Sequence, residues 1–109
     1  MGIIYAMNVV FFFNKLHNHI SRQEYEQWVH SVDYPTARSI PSIVDYQVAR
    51  IEGLLESGDR PPYDYVERVV IADLDSYRRD LADAKLDAFK RAWAAHVAES
   101  TAVHGTVID

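Results

Sequence analysis

Residues 3–13, IIYAMNVVFFF, leave this chain few ways to fold. The segment is rich in β-branched and aromatic residues, and apart from Asn8 it is apolar at odd and even positions alike. That is how a strand reads when both of its faces are covered. Such a strand needs helices packed on one side and a second apolar cover on the other. The segment has no basic stretch before it and no small-x-small cleavage pattern after it, and it is too short to cross a bilayer. It therefore reads as structure rather than as a leader or an anchor.

Downstream, NKLHNHI is a polar connection, and Ser21 opens a helix with Glu24 in the S-x-x-E spacing of a capping box. Ile20 and Tyr25 stand where a hydrophobic staple puts its pair. Tyr25, Trp28, Val29 and Val32 recur at i, i+3, i+4 and i+7 and give the helix one apolar face. Pro35 is expected to end it at about Val32 to Asp33. Ile43 to Leu54 reads as a second strand, ESGDRPP as a loop, and Tyr63 to Ala72 as a third strand. Asp73 can cap a helical turn, LDSYRRDL. Asp83 can cap another helix, striped by Leu86, Phe89, Trp93 and Val97, before a short strand from Ala102 to Ile108.

The order is β-α-β-β-α-β with the second helix split, which is the ferredoxin-like α+β arrangement. In that arrangement the first and third strands are central, and here those two are the most apolar. Helices cover one face of such a sheet only. The economical cover for the other face is the sheet of a second copy, so a homodimer with sheets face to face is expected, a dimeric α+β barrel.

Composition narrows the function classes. The 109 residues suit a single domain spanning 1–109. A formal charge of -5 without a Lys/Arg cluster argues against nucleic acid and against an anionic membrane surface. With no cysteine, disulfides, thiolate metal sites and cysteine nucleophiles are excluded. The cytoplasm is the default compartment. No nucleotide loop, P-loop, HExxH or Ser-His-Asp spacing occurs, so neither a cofactor nor a metal is expected.

Three stretches carry a resemblance: FFFNKL, then EYEQWVHSVDYPTARSIPSIVDYQVARIEGLL, then PPYDYVERVVIADLDSY. Their most specific parts are Val32, Asp33, Pro35, Thr36, Arg38, Pro41 and Ser42, and the run from Pro61 to Glu67. The chain resembles the RedY-like/HapK family, small dimeric α+β barrel proteins met in prodiginine and bisindole biosynthetic gene clusters. The resemblance covers most of the chain. It implies a small-molecule enzyme of secondary metabolism with a pocket between the sheet and its helices. The wider superfamily includes cofactor-free cyclases and isomerases, quinone-forming monooxygenases and haem enzymes, so the reaction stays open.

The candidate site residues follow from this frame. In HSVDYPTARSIPSIVDY, Arg38 would hang over the pocket mouth and hold an anionic or carbonyl oxygen through its guanidinium fork, with Asp33 orienting it. The plainer alternative makes both solvated loop charges. Tyr63, Tyr65 and Glu67 alternate and share one face of a central strand. Burial would make Glu67 a general acid or base, with Tyr65 beside it. Alternatively, Glu67 is a cross-strand partner of Gln47, with Arg50 near Asp64. His30 either edges into the pocket as a base or faces water beside the apolar stripe. His17 and His19 form an H-x-H pair without a third ligand and read as loop; His96 and His104 stand alone. Asn8 either knits the dimer or lines the cavity. Tyr25, Trp28, Phe89 and Trp93 read as core, and as walls for a flat aromatic ligand if a pocket exists. The expected function is a cofactor-independent tailoring step on an aromatic, indole- or pyrrole-type intermediate by proton transfer, dehydration or cyclisation. The alternatives are a carrier that binds a reactive intermediate without chemistry and, third, a haem-dependent member of the superfamily.

Overall fold

The computed structural model describes residues 7–108. The expected start of the first strand, Ile3 to Ala6, lies outside the described residues. From Asn8 the strand is present as β1 (Asn8–Leu16). It is followed by α1 (Arg22–Trp28), a π-helical turn (Val29–Asp33), α2 (Tyr34–Ser39), β2 (Ile43–Arg50) and β3 (Tyr65–Ile71). Then come α3 (Leu74–Leu81), a 3₁₀ turn (Ala84–Leu86), α4 (Asp87–His96) and β4 (Val97–Thr106). The four strands form one antiparallel sheet in the order β2-β3-β1-β4, so the two most apolar strands are central. This is the ferredoxin-like order expected from the sequence.

The caps form where the spacing puts them. The Ser21 hydroxyl accepts from the Glu24 N–H at 3.0 Å, and Asp73 accepts from the Ser76 N–H at 2.7 Å. Asp83 accepts from the Lys85 N–H and caps the 3₁₀ turn rather than α4 itself.

Four boundaries differ from expectation, each for a physical reason. β2 stops at Arg50, four residues short of the expected Leu54, because its last partner, Tyr65, is the first residue of β3. The first helix does not stop before Pro35. Proline removes an N–H and crowds the carbonyl four residues back, and the chain accommodates it by widening one turn. The Tyr34 N–H reaches back five residues to Val29 O, and Pro35 falls in the first turn of α2, where its missing N–H has no helical partner to lose. The wider turn brings Asp33 round into line with Tyr25 and Val29, so Asp33 is buried while Val32 is half-buried. β1 continues through Asn14, Lys15 and Leu16, which the polar composition suggested were a connection. β4 begins at Val97, directly after α4 and five residues before the expected start.

On the helix-facing side of the sheet lie two apolar clusters. Leu16, Tyr25, Val29, Tyr65 and Val97 gather beneath α1, and Val10, Val69, Ile71 and Tyr77 beneath α3. The opposite face presents Val9, Phe11 and Phe13 of β1 and Val66 and Val70 of β3. The described residues span only 20 Å in their thinnest direction, the depth of one sheet and one helical layer. Val44 and Val103 are exposed on the strands that flank that face.

Candidate active site

Between the two apolar clusters runs a row of polar side chains. Asn14 of β1 is two residues from Phe12 on the helix-facing side, and Glu67 of β3 sits between Tyr65 and Val69 on that side. Asn14, Asp33 and Glu67 are all buried, at 0%, 2% and 5% exposure. They are held by one another. The Ser100 hydroxyl donates to Asn14 Oδ1 at 2.7 Å, and the Asn14 amide donates to Glu67 Oε2. The Tyr46 hydroxyl of β2 is in hydrogen-bond contact with Glu67 Oε1 and lies 2.6 Å from Asp33 Oδ2. A continuous chain of contacts thus runs Ser100–Asn14–Glu67–Tyr46–Asp33 across all four strands and into the π turn.

These groups form the polar end of a cavity of about 150 Å³ between the sheet, the α1–α2 run and α4. Its apolar walls include Phe12, Ile40, Ile43, Tyr77, Phe89 and Trp93. Asp33, Tyr46 and Glu67 face into it, and the exposed Lys90 stands at its rim, the one cation among the described residues that line it. A void of this size takes a single aromatic ring, and this one is open on one side, so a longer ligand could extend past Lys90.

Electrostatics at the polar end favour protons. Burial, reinforced by the negative charge of Glu67, pushes Asp33 up to about 7, with only the Tyr46 hydroxyl opposing. Burial likewise raises Glu67, against hydrogen bonds from Tyr46 and Asn14 and the nearby indole of Trp93. Burial and then the two carboxyl charges push the Tyr46 and Tyr77 hydroxyls up, so both stay protonated at any ordinary pH. No cluster of three or more His, Cys, Asp or Glu side chains that could hold a metal occurs among the described residues.

Of the residues singled out in the sequence, Glu67, Asp33, Phe89 and Trp93 line this cavity; Tyr65, His30, Arg38, Asn8, Tyr25 and Trp28 do not. Asp33 turns to Tyr46 rather than to Arg38. Arg38 is exposed, with its guanidinium carbon 5.5 Å from the Tyr34 ring centre, and it borders a separate surface hollow with Val44 and Asp45. It lies there because the helix continues past Pro35 and carries Arg38 on its outer side. His30 is exposed beside Tyr34. Tyr65 is on the same strand face as Glu67, but its hydroxyl donates to Glu26 Oε2 at 2.6 Å, and desolvation and that bond push it up to about 12. Glu26 in turn is paired with Arg50 and lowered to about 2. Tyr63 precedes β3 and packs on Phe13 of the opposite sheet face, so the alternation does not reach it. Opposite Glu67 is Val48, not Gln47, and opposite Arg50 is Tyr65, because the β2–β3 register shifts between Ile43 and Asp45.

Asn8 borders a surface hollow with His104 at the end of β1. Tyr25 and Trp28 belong to the cluster beneath α1, with Trp28 stacked on His96 and Phe89. The residues that sequence reasoning missed are Tyr46, Asn14 and Lys90. Asn14 had a usable signal: it extends the Phe12 alternation by one step. Tyr46 had none, since its partners are 13 and 21 residues away.

A protein-family model described as "REDY-like protein HapK" matches residues 8–108. No curated protein matches this sequence. Among solved structures, HapK from Hahella chejuensis is 27% identical, covers 89% of this chain and 90% of its own, and superposes with a TM-score of 0.71. A dimeric ferredoxin-like protein of unknown function from Thermobifida fusca is 18% identical over 94% and 92% of the two chains, with a TM-score of 0.70. SnoaB, a cofactor-independent oxygenase from Streptomyces nogalater, is 23% identical over 95% and 92%, with a TM-score of 0.62. At those identities the last two likenesses show the fold alone.

Proposed function

The chain belongs to the REDY-like HapK family, and from that premise we propose that it is a tailoring enzyme of secondary metabolism. It works without a cofactor on a small aromatic, indole- or pyrrole-type molecule, by acid–base chemistry in the cavity. The observation that carries this reading is the pairing of apolar, largely aromatic walls with two buried carboxyls joined through Tyr46. An aromatic ring gains by leaving water for Phe12, Phe89 and Trp93. A carboxyl held near neutrality can give or take a proton at physiological pH, which unperturbed Asp and Glu cannot do efficiently. Glu67 and Asp33 are the acid–base pair. The anion-holding role expected of Arg38 falls to Lys90, the cation at the rim.

The same proposal includes a homodimer, since a second copy is the economical cover for Phe11, Phe13 and Val66, and a cytoplasmic setting. No helix among the described residues is long and apolar enough to cross a membrane.

The test has two arms. Indole and pyrrole carboxylates are titrated into the protein with tryptophan fluorescence as readout, and any ring that binds is then incubated as the intermediate with wild type and Glu67→Gln. Saturable quenching, with turnover that falls roughly 100-fold or more in the variant, is the expected result. Saturable binding with equal fates of the intermediate in wild type, variant and buffer would make the chain a carrier rather than an enzyme. No binding of any ring would remove the proposal.

A further inference from the structure

The Tyr46 hydroxyl has one hydrogen and two buried carboxyl neighbours, Asp33 Oδ2 at 2.6 Å and Glu67 Oε1. With both carboxyls ionised, one of those contacts would set lone pairs against lone pairs, out of water, at hydrogen-bond distance. At least one carboxyl must then be neutral, and one shared proton is enough: one carboxyl donates to the Tyr46 oxygen, while Tyr46 O–H donates to the other. The remaining partners decide which is which. Ser100 donates to Asn14 Oδ1, which turns the Asn14 amide NH₂ toward Glu67 Oε2. Glu67 therefore accepts from two donors, the surroundings of a carboxylate. Among the described residues Asp33 has Tyr46 as its side-chain partner and no second side-chain donor.

We infer that Asp33, Tyr46 and Glu67 form a triad holding two protons among three groups, Asp33 as the acid and Glu67 as the base, and that the reaction it serves is a proton shift within one conjugated ligand. This rests on the acid–base reading of the cavity given above. Both carboxyls line the cavity, so both reach a bound ring. The step balances without a co-reactant. Glu67 takes a proton from one ligand atom, breaking that X–H bond and forming a carboxyl O–H. The released electron pair moves through the conjugated system, and a second ligand atom takes the Asp33 proton. The ligand leaves as its isomer, with Asp33 ionised and Glu67 neutral. The site resets when Glu67 passes its proton to the Tyr46 oxygen as Tyr46 passes its own to Asp33.

The groups that face the triad from the elements packed on it are Tyr25 of α1, Tyr77 of α3 and Lys90 of α4. The tyrosines stay neutral, so none competes for the shared proton. Burial raises Asp33 and Glu67 alike, so it is the hydrogen-bond pattern that assigns the proton to Asp33.

Infrared spectroscopy of the whole protein at pH 7, with ¹³C-labelled aspartate, reads the proton directly. The expected result is a neutral-carboxyl stretch that shifts with the aspartate label and vanishes in Asp33→Asn. A wild-type spectrum without that band, or a band that survives Asp33→Asn, overturns the triad. Tyr46→Phe is expected to bind indole within about threefold of wild type while turnover falls at least roughly 100-fold; equal turnover overturns the relay. Indole binding does not depend on the proton count. A protein that binds indole without a neutral carboxyl would therefore lose the triad and keep the proposed site, and one with the band but no ring affinity would lose the site instead.

Discussion

The side-chain amide of Asn14 on β1 donates to the carboxyl of Glu67 on β3, a diagonal pair across adjacent strands, 53 residues apart in the chain and buried on both sides. This contact holds an acid in an apolar sheet. A buried carboxyl without donors would be raised further still, because only hydrogen bonds to its charged form oppose desolvation here. Ser100 fixes the amide from the other side, so the orientation of Glu67 is set from an edge strand.

Replacing Asn14 with Leu removes that donor and leaves Glu67 with Tyr46 as its geometric hydrogen-bond donor. The pH at which the base form of the enzyme appears should move upward by about one unit, with a loss of stability of roughly 1–3 kcal/mol. A pH–rate profile of Asn14→Leu beside wild type measures the first, and urea unfolding the second. An unshifted profile would mean that Asn14 has no hold on the titration of Glu67.

Asp33 sits at about 7 in the fold against 3.8 when free. Between those values the folded chain carries the extra proton, so stability is greatest at the acid end, falls as pH rises through 7, and levels off above. The size is on the order of 4 kcal/mol for Asp33, and Glu67 acts in the same direction. Below its ordinary 4.5, protonation of Glu26 works the other way, because that group is lowered by Arg50. Denaturant midpoints should therefore drop between pH 5 and 8 in wild type, and the slope should flatten in Asp33→Asn. Parallel slopes in the two proteins would refute the assignment.

Ala37 is buried and lines the cavity from α2. Ala37→Leu should fill that space with apolar carbon at a cost below about 2 kcal/mol, since there is a void to receive it. Ring binding should weaken at least tenfold while the circular dichroism spectrum stays unchanged. Undiminished affinity would place the ligand elsewhere.

Phe11 and Phe13 are half-buried on the sheet face that no helix of the described chain covers. If a second copy covers that face, Phe11→Asp buries an unpaired charge in the interface and should produce monomers at micromolar concentration, read by light scattering. A wild-type protein that is already monomeric would end the proposal of a homodimer.

Much of the frame was legible in the sequence because it rests on local pattern. The Ser21 and Asp73 caps and the apolar runs of the central strands are read within a few residues, and the order of elements then leaves one sheet topology. Glu67 stood out by the same logic, as an acid inside an apolar strand. The burial of Asp33 did not: Pro35 reads locally as a stop, and only packing of the following residues onto the sheet makes one π turn preferable to a break. Arg38, His30 and Tyr65 show the converse. Their residue types suited a site, but helix phase carries Arg38 and His30 to the surface, and Tyr65 is drawn to Glu26.

By itself, then, the sequence determined the fold class, the two central strands and a family, since each depends on periodicity or on motifs a few residues long. The tertiary structure decided the site. Tyr46 meets Asp33 and Glu67 only after three elements have docked, and the register shift near Ile43 settles which β2 side chain faces Glu67. Long-range contacts of this kind are selected by the packing of the whole sheet, and no local pattern encodes which partner a buried acid will find.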